Sequence, residues 1–302
     1  MIIASTLQKS FGPQALFDDV SFLINKGERI GLVGKNGTGK STLFKMIMGE
    51  EKQDSGTLST PKGYKIGALD QHIHFTKPTV IDECIEALPT EKQWDHYKAE
   101  IILSGLGFSE QDFQKDPTTF SGGFQVRINL CKALLADPNM LLLDEPTNYL
   151  DIVSLRWLKD YLNKWPGEMM LITHDRDFMD QVTTHTLGLH RRQARKVSGG
   201  TIKFYELIIQ EEETYEQTRK NLENKRKEMQ SLVDRFRAKA SKATMAQSRL
   251  KMMEKMGTME KLDTEKNLGF RFNHLPCPGK IIMTIKNLSF SYDGKPKNNI
   301  FS

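Results

Sequence analysis

From the N-terminus to about Tyr205, short apolar runs alternate with stretches whose apolar positions recur at helical spacing. That alternation predicts an α/β domain with a largely parallel sheet. Runs near Ile2 to Leu7 and Val20 to Ile24 come first and suggest a small antiparallel flank. Arg29 to Val33 leads into a glycine-rich bend and then a helical pattern, Thr42 to Met48. Leu141 to Leu143 and Met170 to Ile172 are near-continuous apolar runs, as expected of strands buried on both faces. Polar residues follow each of these runs, where the C-terminal ends of sheet strands place a site.

From about Glu206 to Leu262 the pattern changes to charged residues interleaved with Leu and Met, with Gly257 the only glycine and no proline. Tyr215, Leu222, Met229, Leu232, Val233 and Phe236 recur at helical spacing, as do Met245, Leu250, Met252, Met253 and Met256. Two long helices turning near Arg237 to Ser241 are predicted, with the methionines filling the seam between them. After Pro276-Cys277-Pro278-Gly279 a β-like run, Ile281 to Ile285, begins, and the ending repeats the start of the chain. Leu7, Ser10 and Phe11 are echoed by Leu288, Ser291 and Tyr292, and Leu16-Phe17 by Ile300-Phe301. Such self-similarity predicts a duplicated domain. The second copy stops before any phosphate loop, so the chain is expected to be a piece of a longer protein organised as residues 1–205, 206–276 and 277–302.

Composition adds limits. The length, 302 residues, suggests about two domains. Cys84, Cys131 and Cys277 lack paired spacing, which argues against a disulfide framework or a zinc site and fits a reducing cytosol. Runs such as Met140 to Leu143 and Met169 to Ile172 are far shorter than the ~18 residues of a membrane span. The start, Met1-Ile2-Ile3-Ala4-Ser5, lacks the features of a secretory signal. Charge is unevenly spread: Arg219 to Lys255 holds twelve Lys or Arg and four Asp or Glu, a balance of +8 against +5 for the whole chain, which leaves −3 elsewhere. A basic helical segment of that kind suits a nucleic-acid partner.

The bend after Arg29 to Val33 reads Gly34-Lys35-Asn36-Gly37-Thr38-Gly39-Lys40-Ser41-Thr42. In a strand-loop-helix context this is a phosphate cradle. Glycines let successive N–H groups turn inward around an anion, the helix N-terminus adds partial positive charge, Lys40 reaches the terminal phosphates, and Ser41 offers a hydroxyl to Mg²⁺. Asp144 and Glu145 end the run Met140 to Leu143, where Asp144 can hold Mg²⁺ and Glu145 can orient and deprotonate an attacking water. His174 follows the strand Met169 to Thr173 and can bond a terminal phosphate or that water. Gln71, after the run Tyr64 to Leu69, can complete the Mg²⁺ shell, and Phe11 can stack on adenine. Ser121-Gly122-Gly123 opens a helical stretch, Phe124 to Leu135, and forms a second anion-binding N-terminus, suited to a nucleotide held by a different domain.

Phe11, Gly34 to Thr42, Gln71, Ser121-Gly122-Gly123, Asp144-Glu145, Asp151 and His174, in this order, resemble the ATP-binding-cassette (ABC) ATPases. The resemblance implies an α/β P-loop cassette with an antiparallel β flank and a helical subdomain, followed by a long two-helix linker. It also implies ATP and Mg²⁺ as ligands, and head-to-tail pairing with a second cassette in which each serine-glycine-glycine closes on the partner's ATP. Asp151, within Asn148-Tyr149-Leu150-Asp151, resembles the loop that couples the two sites.

The wording of Glu145-Pro146-Thr147-Asn148, of His174-Asp175-Arg176-Asp177-Phe178, and of Asp234 to Ala240 with Ala246 to Arg249 is similar to the F subfamily, cytoplasmic proteins with two cassettes and no membrane segment. In bacterial members the linker enters the ribosome and touches tRNA, which would give Arg235, Arg237, Lys239, Lys242 and Arg249 a nucleic-acid role. The nucleotide-binding subunit of a transporter and a DNA-associated ATPase are the alternatives. The chain departs from the family pattern at Phe120 and Phe124, where many cassettes have Leu and Gln or Glu, and in the short segment between Gln71 and Ser121.

Overall fold

In the computed structural model the first strand, β1 (Ile2–Phe11), alternates buried and exposed positions and pairs antiparallel with β2 (Gln14–Ile24), Ile2 opposite Ile24 and Leu7 opposite Val20. Next come β3 (Arg29–Gly34), α1 (Lys40–Met48), β4 (Ser55–Ser59) and β5 (Ile66–Ala68). Helices α2 (Val80–Ile85), α3 (His96–Gly105) and α4 (Gly122–Leu135) follow, then β6 (Met140–Asp144), α5 (Ile152–Lys164), β7 (Glu168–Ile172), α6 (Arg176–Val182), β8 (His185–His190), β9 (Gln193–Ser198) and α7 (Thr201–Arg237). The residues described are 1–69, 74–92, 94–237, 247–252, 283–286 and 288–289.

Two sheets result. β4 joins the other edge of β1 to give the order β2-β1-β4, the antiparallel flank expected from the opening runs. The larger sheet runs β5-β6-β7-β3-β8-β9, parallel except for β9. The continuous apolar runs have a direct cause, because side chains alternate between two cores. Leu141 and Leu143 face a cluster shared with α2, α3 and α4, whereas Met140 and Leu142 face one shared with Leu43, Phe44, Met46 and Ile47 of α1.

α2, α3 and α4 form the helical subdomain, and its core explains two unusual residues. Phe120 and Phe124, on either side of Ser121-Gly122-Gly123, both pack on Phe108, at centroid distances of 5.5 and 5.1 Å in edge-on geometry. Aromatic pairs of this kind add about 0.5–1.5 kcal/mol beyond the area they bury. The start of α4 is thereby anchored from beneath by apolar contacts.

α7 begins at Thr201, ahead of the change in composition near Glu206. Its start is fixed by Asp180 of α6, which accepts from Thr201 N at 2.8 Å and Thr201 Oγ1 at 2.9 Å, and by the buried ring of Phe204. The chain forms two compact units, Met1–Thr218 and Arg219–Ser302, with the boundary inside α7. Of the second predicted helix, residues 247–252 are described and are helical. The β-like run 281–285 is described only at 283–285, which carry no strand. Ser291, Tyr292, Ile300 and Phe301 of the proposed repeat lie outside the described residues. Among the described residues no helix is long and apolar enough to cross a membrane.

Candidate nucleotide site

Strand register places the chemistry. Gly31 pairs with Leu171 and Leu171 with Leu143, so β3, β7 and β6 run parallel side by side and deliver Gly34, Thr173 and Asp144 to the C-terminal end of the sheet. A cleft of about 510 Å³ lies there, walled by Phe11, Gln14, Leu16, Asn36, Gly37, Gly39, Lys40, Ser41, Thr42, Asp144, Glu145, Ile172 and His174. Gly34, Lys35 and Thr38 belong to the same loop without walling the cleft.

The loop between β3 and α1 is closed by Thr38, whose Oγ1 donates to Lys35 O at 2.9 Å. Gly39 caps α1 in the left-handed region at φ 95°, and a Cβ there would stand 2.8 Å from the ring of Phe17. Both facts demand glycine. Lys40 Nζ folds across the loop and donates to Gly34 O at 2.7 Å and Lys35 O at 3.1 Å. Burial pushes the Lys40 ammonium below the usual lysine range, against the opposing pull of Asp144 and Glu145. The cation is therefore desolvated and held next to the acids, where an incoming anion would stabilise it.

Asp144 accepts from Ser41 Oγ at 3.2 Å. Burial raises its carboxyl above the ordinary aspartate value although the Ser41 bond and Lys40 act the other way. A hydroxyl and a carboxylate are hard oxygen donors of the type that Mg²⁺ takes, usually as one or two carboxylates completed by water and phosphate. Glu145 follows in the left-handed region at φ 50°, and its N–H donates to Ile172 O at 2.8 Å. A non-glycine residue in that conformation is strained, and the turn aims the side chain across the end of β7. There Glu145 Oε2 accepts from His174 N at 3.3 Å, and Oε1 lies 3.6 Å from His174 Nε2. The His174 side chain is 80% exposed, open to whatever enters the cleft.

Ser121, Gly122, Gly123 and Asp151 are not brought to this cleft. Ser121 is the N-cap of α4, is exposed, and makes no side-chain cap bond, so the hydroxyl remains available. Asp151 caps α5 by accepting from Ser154 N at 2.9 Å, the first cause of its lowered carboxyl, and also accepts from Arg127 Nη1 at 3.2 Å. Gln71, Lys239 and Lys242 lie outside the described residues. Arg235 and Arg237 fall in the last turn of α7, and Arg249 is exposed in the helical stretch 247–252.

Sequence reasoning missed Arg127. Nearly buried, it donates from Nε and Nη2 to Tyr149 O at 3.0 and 2.6 Å and from Nη1 to Leu106 O at 2.8 Å, and its guanidinium sits 4.6 Å from the Phe124 ring centroid. It fastens the helix of Ser121-Gly122-Gly123 to the loop of Tyr149 and Asp151. An arginine inside the helical stretch Phe124 to Leu135 was the available signal. Glu83, also missed, is fully buried and accepts from Thr76 N at 2.8 Å, Lys77 N at 2.9 Å and Lys132 Nζ. It ties the segment after Gln71 to α4.

Two family models described as ABC transporter match residues 17–148 and 187–272. The chain belongs to the ATP-binding-cassette family. It is 32% identical to the putative ATP-binding protein YdiF of Bacillus subtilis, over 96% of this chain and 52% of that protein. Identity to the probable ATP-binding protein YheS of Escherichia coli K12 is 31%, over 97% of this chain and 50% of that protein. With mouse ATP-binding cassette sub-family F member 3 it is 29%, over 97% and 46%. The cassette is of the F type, and the chain spans about half the length of the curated relatives it matches. Among solved structures, the ATP-binding subunit of an ABC transporter aligns with a TM-score of 0.59 at 21% identity, covering 66% of this chain and 90% of that one. The dimeric cassette MJ0796 bound to ADP and Pi aligns at 0.53 and 21%, covering 66% and 98%. These neighbours show the cassette fold.

Proposed function

We propose that residues 1–205 form an ATPase cassette that binds ATP with Mg²⁺, and that in the full-length protein its cycle gates contact of the basic segment 206–276 with tRNA on the ribosome. The observation that carries the ATP reading is the single cleft in which Phe11, Lys40, Ser41, Asp144, Glu145 and His174 converge.

Phe11 stacks on the base. Lys40 exchanges its bonds to the Gly34 and Lys35 carbonyls for the terminal phosphates, while the N–H groups of the loop and the start of α1 surround them. Ser41 and Asp144 would hold Mg²⁺, with Gln71 as a further ligand. When bound, that ion would neutralise charge developing on the phosphates. Glu145 takes a proton from the attacking water as the water oxygen bonds the γ-phosphorus and the bond to the bridging oxygen breaks, that oxygen leaving with ADP. His174, held at Glu145, bonds the γ-phosphate.

Ser121-Gly122-Gly123 would close on the ATP of a second cassette, in residues 277–302 and beyond or in a second copy. Support comes from their separation from the chain's own cleft and from the dimeric state named for the MJ0796 cassette. Asp151, fastened by Arg127, would transmit that closure. Ribosome and tRNA as partners, and a cytoplasmic location, rest on the F-type linker wording and on the +8 balance, since Lys and Arg contacts to phosphate dominate nucleic-acid affinity.

Sedimentation of the full-length Glu145→Gln protein with ribosomes, with and without ATP, tests the reading. ATP-dependent capture that weakens with salt is expected. Failure to cosediment in either condition would refute the ribosomal role, and unchanged phosphate release by the variant would refute the assignment of the base.

A further inference from the structure

Phe11 is half-exposed at the rim of the cleft, at the end of β1 where the chain turns into β2. It is held by a neighbour that takes no part in the cleft wall. Lys9, on the same strand and 8% exposed, places Nζ 4.9 Å from the Phe11 ring centroid. That ammonium is itself anchored: it donates to Glu51 Oε1 at 2.6 Å, to Lys52 O at 2.7 Å and to Asp54 Oδ1 at 3.4 Å. Asp54 also accepts from Ser10 N at 2.7 Å and Ser10 Oγ at 2.8 Å, so three successive residues, Lys9, Ser10 and Phe11, are tied to the turn between α1 and β4.

We infer that Lys9, braced by Glu51 and Asp54, is a positioning residue that fixes Phe11 for stacking on the base of the bound nucleotide. The inference rests on the nucleotide reading of the cleft. A cation against an aromatic face is attractive, and fixing the ring before the ligand arrives removes an ordering cost from binding. The bond to Glu51 raises the Lys9 ammonium above its ordinary value, so the charge persists across physiological pH. Lys9 does not wall the cleft, so its influence is expected at the ring of Phe11 and not at Lys40, Ser41 or Asp144.

The test compares equilibrium binding of MgATP and of magnesium tripolyphosphate, which lacks base and sugar, to the full chain and to Lys9→Gln, Lys9→Arg and Phe11→Ala. Lys9→Gln is expected to lose about 2- to 10-fold in ATP affinity, the range of one aromatic contact, with tripolyphosphate affinity retained. Phe11→Ala should show the same selective loss, and Lys9→Arg, which keeps a cation over the ring, should recover most of it. An unaltered ratio of the two affinities in Lys9→Gln, or in Phe11→Ala, overturns the inference and leaves the nucleotide site standing. Absence of both ligands from the unsubstituted chain overturns the site and the inference together. Should Lys9→Gln fail to fold, Glu51→Gln loosens the same brace at a more exposed position, and an unaltered ratio there is equally fatal.

Discussion

Ser41 Oγ donates to Asp144 Oδ2 at 3.2 Å, which joins the first turn of α1 to the end of β6 across the floor of the cleft. Burial raises the Asp144 carboxyl, so the charged form is tolerated at a cost that a bound cation would relieve. Asp144→Asn should therefore reduce Mg²⁺-dependent ATP hydrolysis by about 100-fold or more, the several kcal/mol expected of a metal's charge stabilisation. Thermal stability should hold, because a neutral isostere removes a charge that burial disfavours. Phosphate release against Mg²⁺ concentration is the measurement, together with a melting curve.

Lys40→Ala should weaken binding of a labelled ATP analogue by about 100-fold, since one buried charge-assisted contact to phosphate is worth about 1.5–3 kcal/mol and more where desolvated. The fold loses only two bonds to the loop carbonyls. Fluorescence titration of the variant checks this, and affinity equal to the unsubstituted chain would show that Lys40 does not face the phosphates.

Arg127 serves two loops at once, and no other residue type presents a planar fork of donors. Arg127→Lys should keep the charge yet lose most of the bonds to Leu106 O and Tyr149 O, and Arg127→Ala should cost about 2–4 kcal/mol because it leaves the buried Leu106 carbonyl without its donor and frees the loop of Tyr149. Urea unfolding of both variants measures the cost. A lysine variant as stable as the parent would show that charge alone suffices.

The sequence made the strands around the cleft readable because their chemistry is local. The run Arg29 to Val33, its glycine bend and the pattern from Thr42 define β3, the loop and α1 within a few residues, and Met140 to Leu143 defines β6 by apolarity alone. What escaped was set by distant partners. β5 spans only Ile66–Ala68 of the run Tyr64 to Leu69, because pairing with β6 fixes its length. α7 starts at Thr201 because Asp180, on another helix, supplies the cap. Lys9 with Glu51 and Arg127 with Tyr149 are contacts between elements far apart in sequence, and spacing carries no trace of them.

Gly188 of β8 and Phe204 of α7 show how tightly that helix is seated. A Cβ on Gly188 would stand 1.8 Å from Phe204 Cζ, so Gly188→Ala forces the ring or the strand to move. Overpacking of this kind costs about 1–3 kcal/mol, and Gly188→Ala should lower the urea midpoint accordingly. Adding Phe204→Leu should recover part of the loss, as coupled neighbours do. Strictly additive effects of the two substitutions would show that the residues do not share the strain.

Glu28 is one of the carboxylates that tie the stability of the fold to pH. Between β2 and β3, it accepts from Asn25 N at 2.8 Å, Asn25 Nδ2 at 2.9 Å and Lys196 Nζ, and Lys196 also donates to Leu23 O at 2.7 Å, so the pair stitches β9 to the hairpin. Burial alone would raise the carboxyl, but the bonds from Asn25 and Lys196 outweigh it and lower the value from 4.5 to about 2. A carboxylate whose pKa falls on folding contributes stability that is complete above the unfolded value and is lost as protons bind the folded form. The contribution of Glu28 should thus be full above about pH 4.5 and disappear progressively as pH falls to about 2. Glu28→Gln should be less stable than the parent at neutral pH, and the difference should shrink across that window. Unfolding free energies of the two proteins from pH 7 to 2 measure it, and a gap that stays constant through the window would place the pH dependence in other carboxylates.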